Sequence, residues 1–142
     1  MPPVGCDISE VKLAMAKRAC PRAELFFCSL SELKQWKSYD VVFLMQVLEH
    51  LVEPEAAVRH LVELLADGGT LVLTVPDGRV DSYAAENFNP ELQSYGGHVN
   101  FWSPESWQYF LARVAPDCGL STTKLETGQL FAALTRKPRS AN

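Results

Sequence analysis

The sequence has no apolar run near the roughly 18 residues that a membrane span needs. It also shows no signal-peptide order of a charged and then an apolar stretch, because Met1-Pro2-Pro3 leads straight into strand-like residues. The four cysteines, Cys6, Cys20, Cys28 and Cys118, form no C-x-x-C pair, and no histidine stands beside them. No metal site is therefore expected, and the cysteines read as reduced, small apolar residues of a cytoplasmic protein. Positive charge is scarce: 13 Lys and Arg face 17 Asp and Glu, a net charge of -4. Such a chain has no basic field to draw in nucleic acid, and neither a nucleic-acid nor a membrane partner is expected. Its one basic run, Arg136, Lys137 and Arg139, reads as a solvated end. Repeats and low-complexity stretches are absent too.

With 47% hydrophobic and 21% charged residues, the 142-residue chain has the composition of one globular domain. That domain is expected over residues 1–137, with 138–142 as a flexible tail. Val4 to Cys6 reads as the end of a strand, closed by Asp7. Ser9 then caps a helix that carries Val11, Ala14 and Met15 on one face and stops at Pro21. Leu25 to Cys28 is a second strand. Tyr39 to Met45 is a third, and its unbroken apolar run suits a strand buried on both faces of a parallel sheet.

Pro54 opens a helix with Val58, Leu61, Val62 and Leu65 at helical spacing. Gly68-Gly69 is expected to end it, and Thr70 to Val75 to follow as a strand. Residues 77–102 lack any period and read as a long functional loop. Ser103 caps a last helix that buries Trp107, Phe110, Leu111 and Val114. Two strands, Ser121 to Leu125 and Leu130 to Thr135, close the chain around a Thr127-Gly128 turn. This alternation predicts an α/β fold: a Rossmann-like, doubly wound, mostly parallel sheet with a C-terminal antiparallel hairpin.

An acidic residue at the end of a strand in such a sheet can accept hydrogen bonds from both ribose hydroxyls of a nucleotide cofactor. Asp7 is so placed, although it would also serve to open the turn before the helix. Three blocks extend this observation: Val4-Gly5-Cys6-Asp7-Ile8-Ser9-Glu10, then Tyr39 to Phe43 with Val47-Leu48-Glu49-His50-Leu51, then Leu65 to Pro76. In order and spacing they resemble the second, fourth and fifth strand motifs of class I S-adenosylmethionine-dependent methyltransferases. The likeness runs from about residue 3 to 137.

The resemblance implies S-adenosylmethionine as cofactor. It implies that Asp7 binds the ribose, that Ile8 packs on the adenine, and that Ser29 and Leu30 meet the adenine edge. Many relatives carry aspartate where Ser29 stands, so an uncharged and weaker contact is expected here. Met45 and Gln46 would lie beside the methionine part, or simply pack the strand end. Glu49-His50 recurs in a branch of the family that acts on small molecules or sugar-linked substrates. The candidate catalytic residues are His50, which would line the pocket or order the turn before Pro54, and His98. The latter lies in the long loop, where it would accept a proton from an acceptor hydroxyl or stack on Phe101 or Trp102. Transfer itself needs mainly alignment, because a sulfonium methyl is already electrophilic.

The family's first strand, its G-x-G-x-G loop and its first helix have no counterpart among these residues. In relatives that strand lies between the strand ending at Asp7 and the strand at 39–45. Without it, Val41, Val42, Phe43 and Leu44 would be partly uncovered, and a homodimer is expected. Two other functions remain open: a non-catalytic interaction module that keeps the fold, and a nicotinamide-binding Rossmann domain. The terminal hairpin argues against the latter.

Overall fold

A computed structural model describes residues 2–33, 38–81 and 97–138, with the backbone of 88–89 and 94–95. Most of the expected tail, 139–142, lies outside the described residues. The chain divides into two compact units, Met1–Gln35 and Trp36–Asn142.

In the first unit, β1 (Val4–Asp7) pairs in parallel with β2 (Glu24–Phe27) across α1 (Glu10–Ala19). The Ser9 hydroxyl caps α1 by accepting the Lys12 backbone N–H, as its position before Glu10 suggested. The helix ends at Ala19, with the Cys20 N–H bonded to the Ala16 carbonyl, two residues ahead of Pro21. The expected apolar face does not form a core: no residue of α1 is buried, and Val11 and Met15 are exposed.

The second unit is built on a four-stranded sheet in the order β3-β4-β8-β7. Here β3 is Tyr39–Met45, β4 is Leu65–Pro76, β7 is Cys118–Lys124 and β8 is Gln129–Arg136. The β3 and β4 pair is parallel, while β8 runs antiparallel to both β4 and β7, so the chain ends in the expected hairpin. Gly128 makes its turn at φ 82, a conformation that glycine adopts without a Cβ clash. A short antiparallel pair, β5 (Phe88–Asn89) and β6 (Ser94–Tyr95), lies inside the stretch expected to be loop alone.

The core sits around β4 and β8. Leu71, Leu73, Val75, Leu130, Ala132 and Leu134 are buried there. Two helices add to it: α2 (Pro54–Glu63) buries Val58 and Leu61, and α3 (Pro104–Val114) buries Trp107, Phe110, Leu111 and Val114. Trp102, Trp107 and Phe110 form an aromatic cluster with ring centroids 5.2–6.0 Å apart. No helix among the described residues is long and apolar enough to cross a membrane.

Three expectations need correction. First, β3 is not buried on both faces: Val41, Phe43 and Met45 are exposed while Leu44 is buried. Among the described residues β3 pairs with β4 alone, so it is an edge strand whose alternate side chains lack cover. Second, α2 does not run to Gly68-Gly69. The Tyr39 N–H takes the Leu64 carbonyl at 2.9 Å, and Leu65 pairs with Tyr39 at the start of β4. Burial of both leucines draws the chain into the sheet before the glycines are reached. The pairing with β3 then jumps from Leu65 to Thr70, and Gly68, at φ 78, lies in that irregularity. Third, Arg136 is not part of a solvated end. Its guanidinium donates to the carbonyls of Val62, Glu63 and Leu65, closing the C-terminus of α2.

Candidate functional site

The first unit carries four of the candidate residues at one edge of its two strands. Asp7 is the last residue of β1 and lies in register with Phe27, two positions before Ser29. Its Oδ1 accepts the Ser9 N–H at 2.8 Å, so the turn-opening role is real. The same contact fixes the carboxylate and leaves Oδ2 without a hydrogen-bond partner among the described residues. Ile8, beside it, is 42% exposed and offers an uncovered apolar surface.

Ser29 precedes the 3-10 turn Leu30–Glu32. Both its N–H and its hydroxyl donate to Glu32 Oε2, at 2.7 and 2.8 Å. Those two bonds hold the Glu32 carboxyl below its ordinary value, the backbone bond contributing most. Glu32 thus places a carboxylate against Ser29. The Ser-x-x-Glu spacing of a capping box was the signal for it. In the same unit, burial and then the neighbouring Cys28 push the Cys6 thiol up to about 11. Such a thiol stays protonated at neutral pH and is no nucleophile.

The second unit places its candidates where β3 and β4 end. Met45 pairs with Thr74, and the Thr74 hydroxyl points to Met45 Sδ at 3.8 Å. Gln46 follows at φ 55, a left-handed conformation that costs a residue with a Cβ. It is held there by two bonds to Thr74, from its N–H at 2.9 Å and from its side-chain amide at 3.2 Å. The turn it makes carries the chain off the sheet into the 3-10 turn Leu48–His50.

That turn is tied to residues 97–100. The Glu49 carbonyl accepts the N–H groups of Val99 and Asn100, and the Asn100 side chain donates to the carbonyls of Leu48 and Leu51. His50 Nδ1 lies 3.0 Å from the Gly97 carbonyl. A carbonyl only accepts, so Nδ1 carries the proton and the lone pair sits on Nε2. His98 is brought beside it, with ring centroids 4.7 Å apart in an edge-on arrangement. Asp81 Oδ2 lies 2.5 Å from His98 Nδ1. His98 therefore packs on His50 and is oriented by Asp81, rather than stacking on Phe101 or Trp102.

Glu49 completes this group. Its side chain is fully buried, and neither carboxylate oxygen has a hydrogen-bond partner among the described residues. Burial pushes its carboxyl above the ordinary value, offset in part by its own backbone N–H and by the two histidines. One ligand-type atom from each of Glu49, His50 and His98 lies within 4.8 Å of the others. Sequence reading named Glu49 as part of a motif but gave it no role, and it passed over Asp81, because burial and long-range pairing leave no mark in spacing.

Asp77, at the end of β4, is also fully buried, but it is fully partnered. Arg79 grips it through two side-chain nitrogens, and Lys124 reaches it at 2.8 Å. Bonds from Arg79 and then Lys124 hold its carboxyl far below the usual aspartate range. The arrangement is structural: it ties the exit of β4 to β7 and to the turn at Gly78. A Cβ on Gly78 would come within 2.7 Å of the Trp102 backbone nitrogen.

Comparison with known proteins identifies the family and the fold. Residues 2–114 match a family described as "Methyltransferase domain". A trans-aconitate 2-methyltransferase from Klebsiella pneumoniae (strain 342) is 33% identical over 73 residues, 51% of this chain but only 29% of that protein. The chain thus spans under a third of that curated relative. Among solved structures, the DhpI–S-adenosylhomocysteine complex superposes with a TM-score of 0.74 at 21% identity, covering 97% of this chain and 67% of that one. The plantazolicin methyltransferase BpumL in complex with S-adenosylhomocysteine gives 0.76 at 13% identity, covering 96% and 66%. The fold is that of the class I S-adenosylmethionine-dependent methyltransferases, and the chain belongs to the methyltransferase domain family.

Proposed function

We propose that this chain takes part in S-adenosylmethionine-dependent methyl transfer to a small-molecule or sugar-linked acceptor. The observation that carries the reading is the domain match over residues 2–114, because that span contains every candidate residue. S-adenosylhomocysteine in the solved structures of DhpI and BpumL supports the cofactor. The chain's own fit to it rests on Asp7, whose bond to Ser9 leaves one oxygen to accept from a ribose hydroxyl.

When bound, the cofactor supplies an electrophilic methyl group on a sulfonium. Asp7 holds the ribose, and Ile8 covers the adenine. Ser29 and Leu30 border its edge, with Glu32 bonded to the serine. Met45 and Gln46 flank the methionine part, and the strained Gln46 backbone is kept in place for that purpose by Thr74. His50 and His98 meet the acceptor and align its nucleophilic atom with the methyl carbon.

Titration calorimetry on the 142-residue chain tests the reading. Wild type is expected to bind S-adenosylhomocysteine and not NAD. Asp7→Ala removes charge-assisted bonds worth at most about 1.5–3 kcal/mol each. Its affinity should fall while the thermal midpoint of the unliganded chain stays nearly unchanged. Binding of NAD instead would favour a nicotinamide domain. Silence toward both would favour an interaction module, and equal affinity in the mutant would remove Asp7 from the site.

A further inference from the structure

Among the described residues the buried carboxylate of Glu49 has no hydrogen-bond partner. A buried carboxylate that lacks both a hydrogen-bond partner and an ion partner is costly, and proteins keep one only where something satisfies it. Two imidazoles lie beside it, those of His50 and His98. Each has its Nδ1 engaged by an acceptor, the Gly97 carbonyl for His50 and the Asp81 carboxylate for His98. This is the outer-shell pattern of metal-ligating histidines, in which a carbonyl or carboxylate takes the Nδ1 proton and directs the Nε2 lone pair to the ion. Two imidazoles and one carboxylate are a donor set for zinc, iron(II), manganese or cobalt.

We propose that Glu49, His50 and His98 bind one divalent cation of this borderline class. Ligand atoms around such an ion, at about 2.0–2.2 Å from it, stand roughly 3–4 Å apart. In this chain one ligand-type atom of each residue lies within 4.8 Å of the others, close to that spacing. The backbone is already fixed by Asn100 and by the bonds from Val99 and Asn100 to Glu49. Three protein ligands leave coordination positions open, as catalytic sites do. On the side of the partly buried histidines an acceptor oxygen would take one. That use rests on the methyl-transfer reading, whereas cation binding does not. The proposal departs from the expectation of no metal. That expectation looked for cysteines and short ligand spacing, and this set joins adjacent residues to one 48 positions away.

Tag-free chain, stripped with chelator and dialysed, should take up one equivalent of Zn2+ or Co2+ by calorimetry and elemental analysis. The cobalt form should show a visible d–d spectrum. Glu49→Gln and His98→Ala should each abolish the spectrum. Asp81→Asn should lower affinity about 10–100-fold, the usual effect of losing an outer-shell partner. His60→Ala, outside the cluster, should bind as wild type, and circular dichroism should show each variant folded. A folded wild type that takes up no cation would overturn the proposal, as would a folded Glu49→Gln of unchanged affinity. Neither result touches the S-adenosylhomocysteine titration, so the two readings fail separately.

Discussion

In the first unit Ala23 is the one buried hydrophobic residue among those described, and α1 shows Val11 and Met15 to solvent at 71% and 63% exposure. In the second unit Val58, Leu61, Leu71, Leu73, Leu111 and Leu134 are all at 0–1%. Both units use the same devices: parallel strands, a serine-capped helix and polar residues at strand ends. They differ in what those devices rest on. A unit of 35 residues lies below the size at which a hydrophobic core alone gives stability. The two groups of candidate residues thus stand on unequal supports. Met45, Gln46, Glu49, His50 and His98 are held by a packed sheet and by long-range bonds. Asp7, Ile8, Ser29 and Leu30 are held by local capping bonds.

Substitutions can break or sharpen this contrast. The largest effect should come from Leu61→Ala, at a cost on the order of 2–5 kcal/mol by urea unfolding. A variant as stable as wild type would show that the face of α2 is not a core. Next is Asp77→Asn, which removes the charge shared by Arg79 and Lys124. Hydrogen bonds to charged groups contribute about 1.5–3 kcal/mol, and a loss of that size is expected at neutral pH. The sign with pH follows from the depressed carboxyl of Asp77. Its contribution is fully present above the usual aspartate range and is lost as pH falls through the folded-state value. The gap between wild type and Asp77→Asn should therefore narrow below about pH 4, and a gap that widens there would contradict the assignment.

Ser103→Ala should cost about 1 kcal/mol, because its hydroxyl caps a helix that carries four core residues. The matching Ser9→Ala should register mainly as faster amide exchange in α1, where no buried face depends on the cap. The smallest effect is expected for Val11→Ser, within about 0.5 kcal/mol of wild type. A larger loss would reveal a packing role for α1 that its exposure does not suggest.

Much of this was legible in the sequence for local reasons. Ser9, Pro54, Ser103 and Gly128 act through their own backbone neighbourhood, so a residue type in the right place suffices to mark a helix start or a turn. Apolar period located α3 and the strand cores. The three motif blocks, in order, placed Asp7 and Gln46 at strand ends. What escaped depended on partners distant in the chain. The length of α2 was misjudged because Leu65 is claimed by Tyr39 and not by the glycines after it. Strand β3 has the composition of a buried strand, yet burial requires a layer over each face, and the face that carries Val41, Phe43 and Met45 is exposed. Arg136 reads as a terminal charge, although it closes a helix more than 70 positions earlier. The same holds for the chemistry. The sequence by itself determined the elements, their order and the family to which they belong, since these follow from local propensity, period and short motifs. Only the tertiary structure decided that Glu49 is buried with no side-chain hydrogen-bond partner among the described residues, that His98 comes to His50, and that Asp81 and Gly97 orient the two rings. Those relations arise from chain segments up to 48 residues apart meeting in space, and no spacing rule encodes them.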